Sequence, residues 1–256
     1  MNNLETNGFE LIPSQISSEL IQKINERLDI SYEQARSIQI KNGIEAVTDG
    51  TIHHLLAYED PCYIELLSAI VESSLFNYIK IFFNGNFILN SYGGLKNLPS
   101  KPSYVVKVHR DIRFFSGNFP LMLNMLIMLD DFTLENGATY LLAKSHLHPD
   151  RPSDEHFYEH AQRAIGKRGD VLFFNSNLWH AAGLNKSNAE RRAITITFTK
   201  PFMKQQLDYP QAVGTETLLQ LSPNMQQVIG YFSRTPKNLD EWYQVPEKRF
   251  YRPGQD

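Results

Sequence analysis

His109 and Asp111 stand two residues apart, Trp179-His180 follow far downstream, and Arg191 comes soon after that histidine. In a strand, residues i and i+2 point to one face. The run Val105-Val106-Lys107-Val108-His109-Arg110-Asp111 can therefore aim an imidazole and a carboxylate at one point. His180, behind the apolar run Val171-Leu172-Phe173-Phe174, supplies a second imidazole. Two nitrogens and one oxygen on one face of an octahedron leave positions open, a donor set suited to Fe(II) in oxygen-activating sites. Alone, an H-x-D triplet is also an ordinary solvated strand end, and His180 a partly buried neighbour of Trp179. The order and surroundings of the whole set carry the metal reading.

The residues after His180 add an anion site. Asn185 to Asn188 reads as a turn, and Arg191-Arg192-Ala193-Ile194-Thr195-Ile196-Thr197-Phe198 alternates. Arg191, Ala193, Thr195 and Thr197 share the small, polar face; Arg192, Ile194, Ile196 and Phe198 share the apolar one. A cavity holding a polar molecule takes the first face, which selects Arg191. Its planar guanidinium can grip both oxygens of a carboxylate. A dicarboxylate with one end on a metal and the other on Arg191 fits this arrangement; two exposed arginines at a strand start are the plainer alternative.

Other polar clusters are weaker. His156-Phe157-Tyr158-Glu159-His160 fits the H-x-x-E-H pattern of zinc peptidases, with Glu241 or Glu247 as a third ligand, and also fits a charged surface helix. His53 and His54 are adjacent, so their side chains diverge and make poor joint ligands. His146 and His148 read as loop residues. Gly93-Gly94 reads as a turn rather than a phosphate loop.

The elements that must position these residues follow from patterning. Gly8 to Ile12 reads as a strand. Helices are expected after Ser17 or Ser18, after Ser31 (a capping-box pattern), after Asp60-Pro61, and from Ser73 to Phe83. Strands are expected at Phe87–Ser91, Tyr104–His109, Leu121–Leu129, Thr139–Ala143, Val171–Phe174 and Arg191–Thr199. Pro152 to Arg163 reads as a helical insertion capped by Ser153 or Asp154. One domain is expected: a helical layer over residues 1–85, a β core over 86–200, and a tail over 201–256 that is a lid or packs on the core. The stretches Asn90 to Ser103 and Leu147 to Arg163, with the tail after Pro201, are candidate lids.

Composition bounds the function classes. A chain of 256 residues with 42% hydrophobic content can bury a substantial core. The net charge of −3 gives no reason to expect nucleic acid or an acidic membrane as partner. One cysteine, Cys62, excludes an intramolecular disulfide framework and a cysteine-rich zinc site. No basic region or long apolar run opens the chain, so a cytoplasmic location without signal peptide or membrane span is expected. The partner expected is a small-molecule substrate; the oligomeric state is left open.

The order Gly8-Phe9, His109-Arg110-Asp111, Leu129-Asp130-Asp131-Phe132-Thr133-Leu134-Glu135-Asn136-Gly137-Ala138-Thr139, Ser145-His146, Gly169 to Phe174, Trp179-His180 and Arg191 resembles the phytanoyl-CoA dioxygenase family. The resemblance implies a double-stranded β-helix (jelly roll, cupin-like) with N-terminal helices packed on one sheet. It implies a non-haem Fe(II)- and 2-oxoglutarate-dependent oxygenase that consumes dioxygen, with ascorbate as a reductant. His109, Asp111 and His180 would hold iron, and Arg191 the distal carboxylate of 2-oxoglutarate. Asn124 and Lys107 are carried as inward-facing cosubstrate contacts. Some members hold 2-oxoglutarate with a serine two residues after the distal histidine; this chain has Ala182 there. Asp111 stands where related halogenases carry a small residue, which implies hydroxylation, desaturation or ring closure instead. Acyl-CoA as substrate does not follow. A catalytically idle jelly roll that binds a ligand or partner, and the zinc peptidase, are the competing classes.

Overall fold

The structure is a computed structural model that describes residues 2–101 and 104–255. After a short helix, α1 (Asn2–Asn7), and a strand, β1 (Phe9–Ile12), Ser17 opens α2 (Ser18–Lys41) by accepting a hydrogen bond from the Leu20 N–H at 3.2 Å. Ile21, Ile24, Leu28 and Ala35 give α2 a buried face at helical spacing. Ser31 does not start a second helix. No glycine or proline interrupts the segment, and the Ser31 hydroxyl meets the Tyr63 hydroxyl at 2.7 Å instead of capping. Asp60 and Ser73 cap α3 (Pro61–Val71) and α4 (Ser74–Phe83) as the sequence indicates, accepting from the N–H groups of Cys62 and Leu75. Among the described residues, no single helix is long and apolar enough to cross a membrane.

The remaining strands are β2 (Thr51–Ile52), β3 (Ile88–Asn97), β4 (Met122–Met128), β5 (Tyr140–Leu141), β6 (Gln162–Arg163), β7 (Val171–Asn175), β8 (His180–Ala181) and β9 (Arg191–Thr199). Six form an antiparallel sheet in the order β1-β7-β4-β9-β3-β2, and three form a small facing group, β6-β5-β8. The large sheet divides the core by strand parity. Ile194, Ile196 and Phe198 of β9 pack outward with Leu67, Ile79 and Phe83 of the helical layer. Ala193, with Leu95, Leu126 and Met128 from neighbouring strands, packs inward. The fold is thus the double-stranded β-helix type with helices on one sheet, as the sequence indicates.

Three local expectations are corrected. Gly93-Gly94 is no turn but the middle of β3, so most of the expected lid from Asn90 onward is a paired strand. Pro102 and Ser103, in the expected turn and lid, lie outside the described residues. A Cβ on Gly93 would sit 2.8 Å from the Ile52 carbonyl oxygen, and one on Gly94 would strike Leu28. The two glycines let β2 and α2 approach the sheet closely. The expected strand Tyr104–His109 begins as a 3-10 turn, Tyr104–Val106, and among the described residues joins a β-bridge only at His109. The insertion splits into α5 (Asp154–His160), capped by Ser153, and β6.

The tail forms α6 (Tyr209–Val213), α7 (Thr215–Gln220), α8 (Pro223–Ile229) and α9 (Leu239–Trp242). Tyr209, Leu218, Met225, Val228 and Ile229 are buried in the outer core, so its first half packs on the sheet. Trp242 and Tyr243 are exposed.

The close approach at β3 yields a stability test. Gly93→Ala should destabilise the fold by about 1–3 kcal/mol in urea unfolding, because backbone must move. Gly94→Ala should cost less, since the Leu28 side chain can turn aside. Equal losses would contradict this packing.

Candidate metal centre

His109 and His180 are brought together by a reciprocal backbone pair. The His109 N–H donates to the His180 carbonyl at 3.0 Å, and the His180 N–H donates to the His109 carbonyl at 2.9 Å. Directly paired residues in an antiparallel ladder project to the same face, and the two ring centroids lie 4.3 Å apart. Asp111, two residues past the bridge, completes the set. Its Oδ1 is 3.5 Å from His109 Nε2, and its Oδ2 is 3.6 Å from His180 Nε2. Among the described residues these three form the one group of histidine, cysteine and carboxylate side chains clustered tightly enough to hold a metal, with ligand atoms within 4.8 Å of one another.

The surroundings prepare both rings as ligands. His109 Nδ1 lies 2.7 Å from the Lys107 carbonyl oxygen, and His180 Nδ1 lies 2.9 Å from that of Leu178. A carbonyl only accepts, so each Nδ1 carries the proton and each Nε2 turns a lone pair to the centre. Burial pushes His180 down to about 4, which keeps it neutral and ready to bind. Burial also pushes His109 down, but Asp111 outweighs it and the net shift is upward. Burial pushes Asp111 up, but His180, His109 and the Asn124 amide together hold it below the ordinary carboxylate value. Asn124 Nδ2 donates to Asp111 Oδ2 at 2.7 Å, and Thr197 donates to Asn124 Oδ1 at 2.9 Å. This chain fixes both the amide orientation and the carboxylate.

Arg191 lies on the inner face of β9, the face it shares by alternation with Ala193 and Thr197, and is 1% exposed. Its Nη2 donates to the Gly137 carbonyl at 3.1 Å, and its guanidinium stacks 4.0 Å from the Phe132 ring centroid. Nε and Nη1 are buried without a hydrogen-bond partner among the described residues. Burial pushes its pKa down to about 9, still charged at neutral pH. An unpaired buried ion costs several kcal/mol. Arg192, one residue on, faces the other way and grips Asp130 with two side-chain nitrogens at 3.0 and 3.1 Å. Alternation along β9 thus separates an arginine paired with a carboxylate from one that keeps two buried donors without a partner among the described residues. The orphaned donors and the two-imidazole, one-carboxylate set fit an Fe(II) ion and an organic dianion.

Of the remaining sequence candidates, Asn124 lines the cavity beside the metal ligands. Lys107 does not: its side chain is exposed, and it serves through its carbonyl. Ala182 lines the cavity, held by its N–H on Val105 O at 2.8 Å. His146 is buried under α1, its Nε2 3.1 Å from the Glu5 carbonyl oxygen. His156 and His160 stack at 4.3 Å on exposed turns of α5 and gain no third ligand among the described residues. Sequence reasoning missed Phe132 beneath Arg191, though it lies in the quoted Leu129 to Thr139 run. It also missed His53 and His54, which line the cavity and whose place depends on the β2–β3 edge.

A jelly roll of helices over a large sheet, with a two-histidine, one-carboxylate centre and a buried arginine inside, defines the class. Within it the chain belongs to the phytanoyl-CoA dioxygenase (PhyH) family, whose model matches residues 4–193. It is 38% identical over 147 residues to the uncharacterized protein Rv1501 of Mycobacterium tuberculosis, covering 57% of this chain and 54% of that one. The chain thus spans about half the length of the first curated relatives it matches. It is 24% identical over 250 residues to the iron/alpha-ketoglutarate-dependent dioxygenase penM of Penicillium thymicola, covering 90% of this chain and 77% of that one. In fold it is similar to AviO1 from Streptomyces viridochromogenes, with a TM-score of 0.59, 21% identity, and 79% and 94% of the two chains covered. Apo HygX from Streptomyces hygroscopicus is likewise similar, with a TM-score of 0.61, 16% identity, and 79% and 85% covered.

The Asn124 chain gives a measurable consequence. Asn124→Ala should weaken binding of Co(II) or Mn(II) by about 10- to 100-fold in calorimetric titration, the usual cost of losing a ligand's support. Unchanged affinity would remove Asn124 from the centre.

Proposed function

We propose that this chain is a non-haem Fe(II)- and 2-oxoglutarate-dependent dioxygenase that hydroxylates a small molecule, releasing succinate and carbon dioxide. The observation that carries this reading is the pairing of the His109, Asp111 and His180 cluster with a buried, unneutralised arginine on the same inner face. His109, Asp111 and His180 would hold the iron, and Arg191 the far carboxylate of 2-oxoglutarate. Bound together, Fe(II), 2-oxoglutarate and dioxygen supply the oxidising power for breaking a C–H bond, and ascorbate would serve as reductant.

The protein's own contribution is placement. The Lys107 and Leu178 carbonyls fix the ring tautomers, and Asn124 with Thr197 fixes the carboxylate. Leu126, Phe174 and Leu95 give the cavity apolar walls that limit water around the reacting groups. Asp111 would fill a ligand position that halide transfer needs, so hydroxylation, or desaturation or ring closure with the same ligands, is favoured over halogen transfer. The penM relative carries the same class of activity in its name. The zinc peptidase reading loses its footing, because α5 offers two histidines and no third partner among the described residues.

Purified protein given Fe(II), 2-oxoglutarate and oxygen should release succinate, and His180→Ala should not. A catalytically idle jelly roll would release none in either form. Arg191→Lys should weaken 2-oxoglutarate binding roughly 10- to 100-fold, the loss of one charge-assisted hydrogen bond, while leaving metal affinity near the parent value. Equal 2-oxoglutarate affinity in the two proteins would refute the Arg191 assignment. With a turned-over substrate in excess chloride, product mass should show added oxygen or lost hydrogen; a chlorinated product would overturn the role given to Asp111.

A further inference from the structure

The cavity over His109, Asp111 and His180, about 300 Å³, has a further polar wall made by His53, His54, Ser91 and Gln206. Two backbone features build that wall. Asn90 forms a bulge in β3, because pairing runs from Leu89–Phe198 directly to Ser91–Thr197. The extra residue reverses parity, so Ser91 leaves the outward face of Leu89 and joins Thr197 inside. Next to it, Gly93 has no side chain, and a Cβ there would lie 3.4 Å from Thr195 Oγ1 and 3.9 Å from His53 Cα. His54 is held in the left-handed region at φ 60°, ψ 57°, an uncommon conformation for a non-glycine residue. Among the described lining residues there is no lysine, arginine or glutamate, and Asp111 is the only carboxylate.

The hydrogen-bond chain behind His54 sets its protonation. The Tyr92 N–H donates to the Tyr209 hydroxyl oxygen at 2.9 Å. Tyr209 is fully buried, and burial raises its pKa, so its hydroxyl stays protonated. Leaving that proton unpaired would be costly. His54 Nδ1, 2.8 Å away, is the acceptor available to it among the described residues. A neutral imidazole whose Nδ1 accepts must carry its proton on Nε2. Burial, with a smaller effect of His53, lowers the His54 pKa and keeps the ring neutral. The Nε2–H meets no hydrogen-bond partner among the described residues.

We propose that His54 is a specificity-determining residue at the substrate end of the cavity, its Nε2–H donating to an oxygen of a neutral, hydroxyl-bearing small molecule. Ser91 and Gln206 supply further neutral contacts beside it. The absence of a cation on this wall disfavours a carboxylate or phosphate group there, and its polar lining disfavours a plain alkyl chain. The catalytic part of this inference rests on the oxygenase reading; the binding part does not.

The test uses the full chain loaded with Fe(II) and 2-oxoglutarate. Succinate release without added substrate examines the oxygenase reading by itself. Imidazole nitrogen-15 spectra of the zinc-loaded protein examine His54: the expected state is protonated Nε2 with unprotonated Nδ1, and Tyr209→Phe should shift it toward the other tautomer. Methyl glycosides and myo-inositol serve as neutral probes, with octanoate as the anionic, alkyl comparison. At least one neutral probe should shift the His54 Nε2–H signal. Its affinity should fall about ten-fold in His54→Leu, the scale of one lost hydrogen bond. His54→Gln, which keeps a donor near the Nε2 place, should recover most of it. A ring protonated on Nδ1, a response to octanoate alone, no response to any neutral probe, or equal affinity in His54→Leu would each overturn the proposal. Absence of succinate with the expected spectra would instead defeat the oxygenase reading and leave the binding site standing.

Discussion

The pair of backbone hydrogen bonds between His109 and His180 is the contact on which the centre depends. Neither residue lies in a long strand: β8 holds two residues, and His109 pairs by that bridge alone. Yet the reciprocal bonds set both imidazoles on one face, and each ring is locked by the carbonyl two residues before it. Asp111 then needs only the bend that follows to bring its carboxylate between the two Nε2 atoms. The geometry is carried by backbone groups, which have no rotamer freedom to lose, so the ligand set is ordered by the protein itself.

The large sheet supplies the rest by parity. Each strand gives alternate residues to an apolar layer under the helices and to the cavity. On β9 this puts Ile194, Ile196 and Phe198 in the outer core while Thr195 and Thr197 line the inside. The same alternation makes Arg192 a partner of Asp130 and leaves Arg191 buried with unpaired donors. Burying such a cation is costly, and the Phe132 ring and the Asp130 charge offset only part of that cost, so an anion reaching it would stabilise the fold. The β3 bulge applies a one-residue correction to the same rule and turns Ser91 inward.

Much of this was legible in the sequence because the responsible signals are local. The helix starts at Ser17 or Ser18, at Asp60-Pro61 and at Ser73, the alternation of β9, and the choice of Arg191 over Arg192 follow from period and residue chemistry. His109 and Asp111 converge as expected, though through a bridge and a bend rather than a strand. What was not legible depends on partners distant in the chain. Ser31 looks like a cap until Tyr63 is seen to occupy its hydroxyl. Gly93-Gly94 looks like a turn until β2 and α2 are seen to need the space. Lys107 shares strand spacing with His109 and Asp111, but no strand exists there to aim it inward. His54 was set aside because adjacent histidines diverge, which is true; its role comes from Tyr209, far along the tail.

The central claim is that the three metal ligands and Arg191 are the two fixed ends of one site for a 2-oxo dicarboxylate. The direct measurement is anaerobic calorimetric titration of the Fe(II)-loaded protein with oxaloacetate, 2-oxoglutarate and 2-oxoadipate, which differ by one methylene each. The account predicts that 2-oxoglutarate binds most tightly, and that Arg191→Leu, which removes one end, abolishes the preference among the three. Equal affinity for all three acids in the parent protein would contradict it.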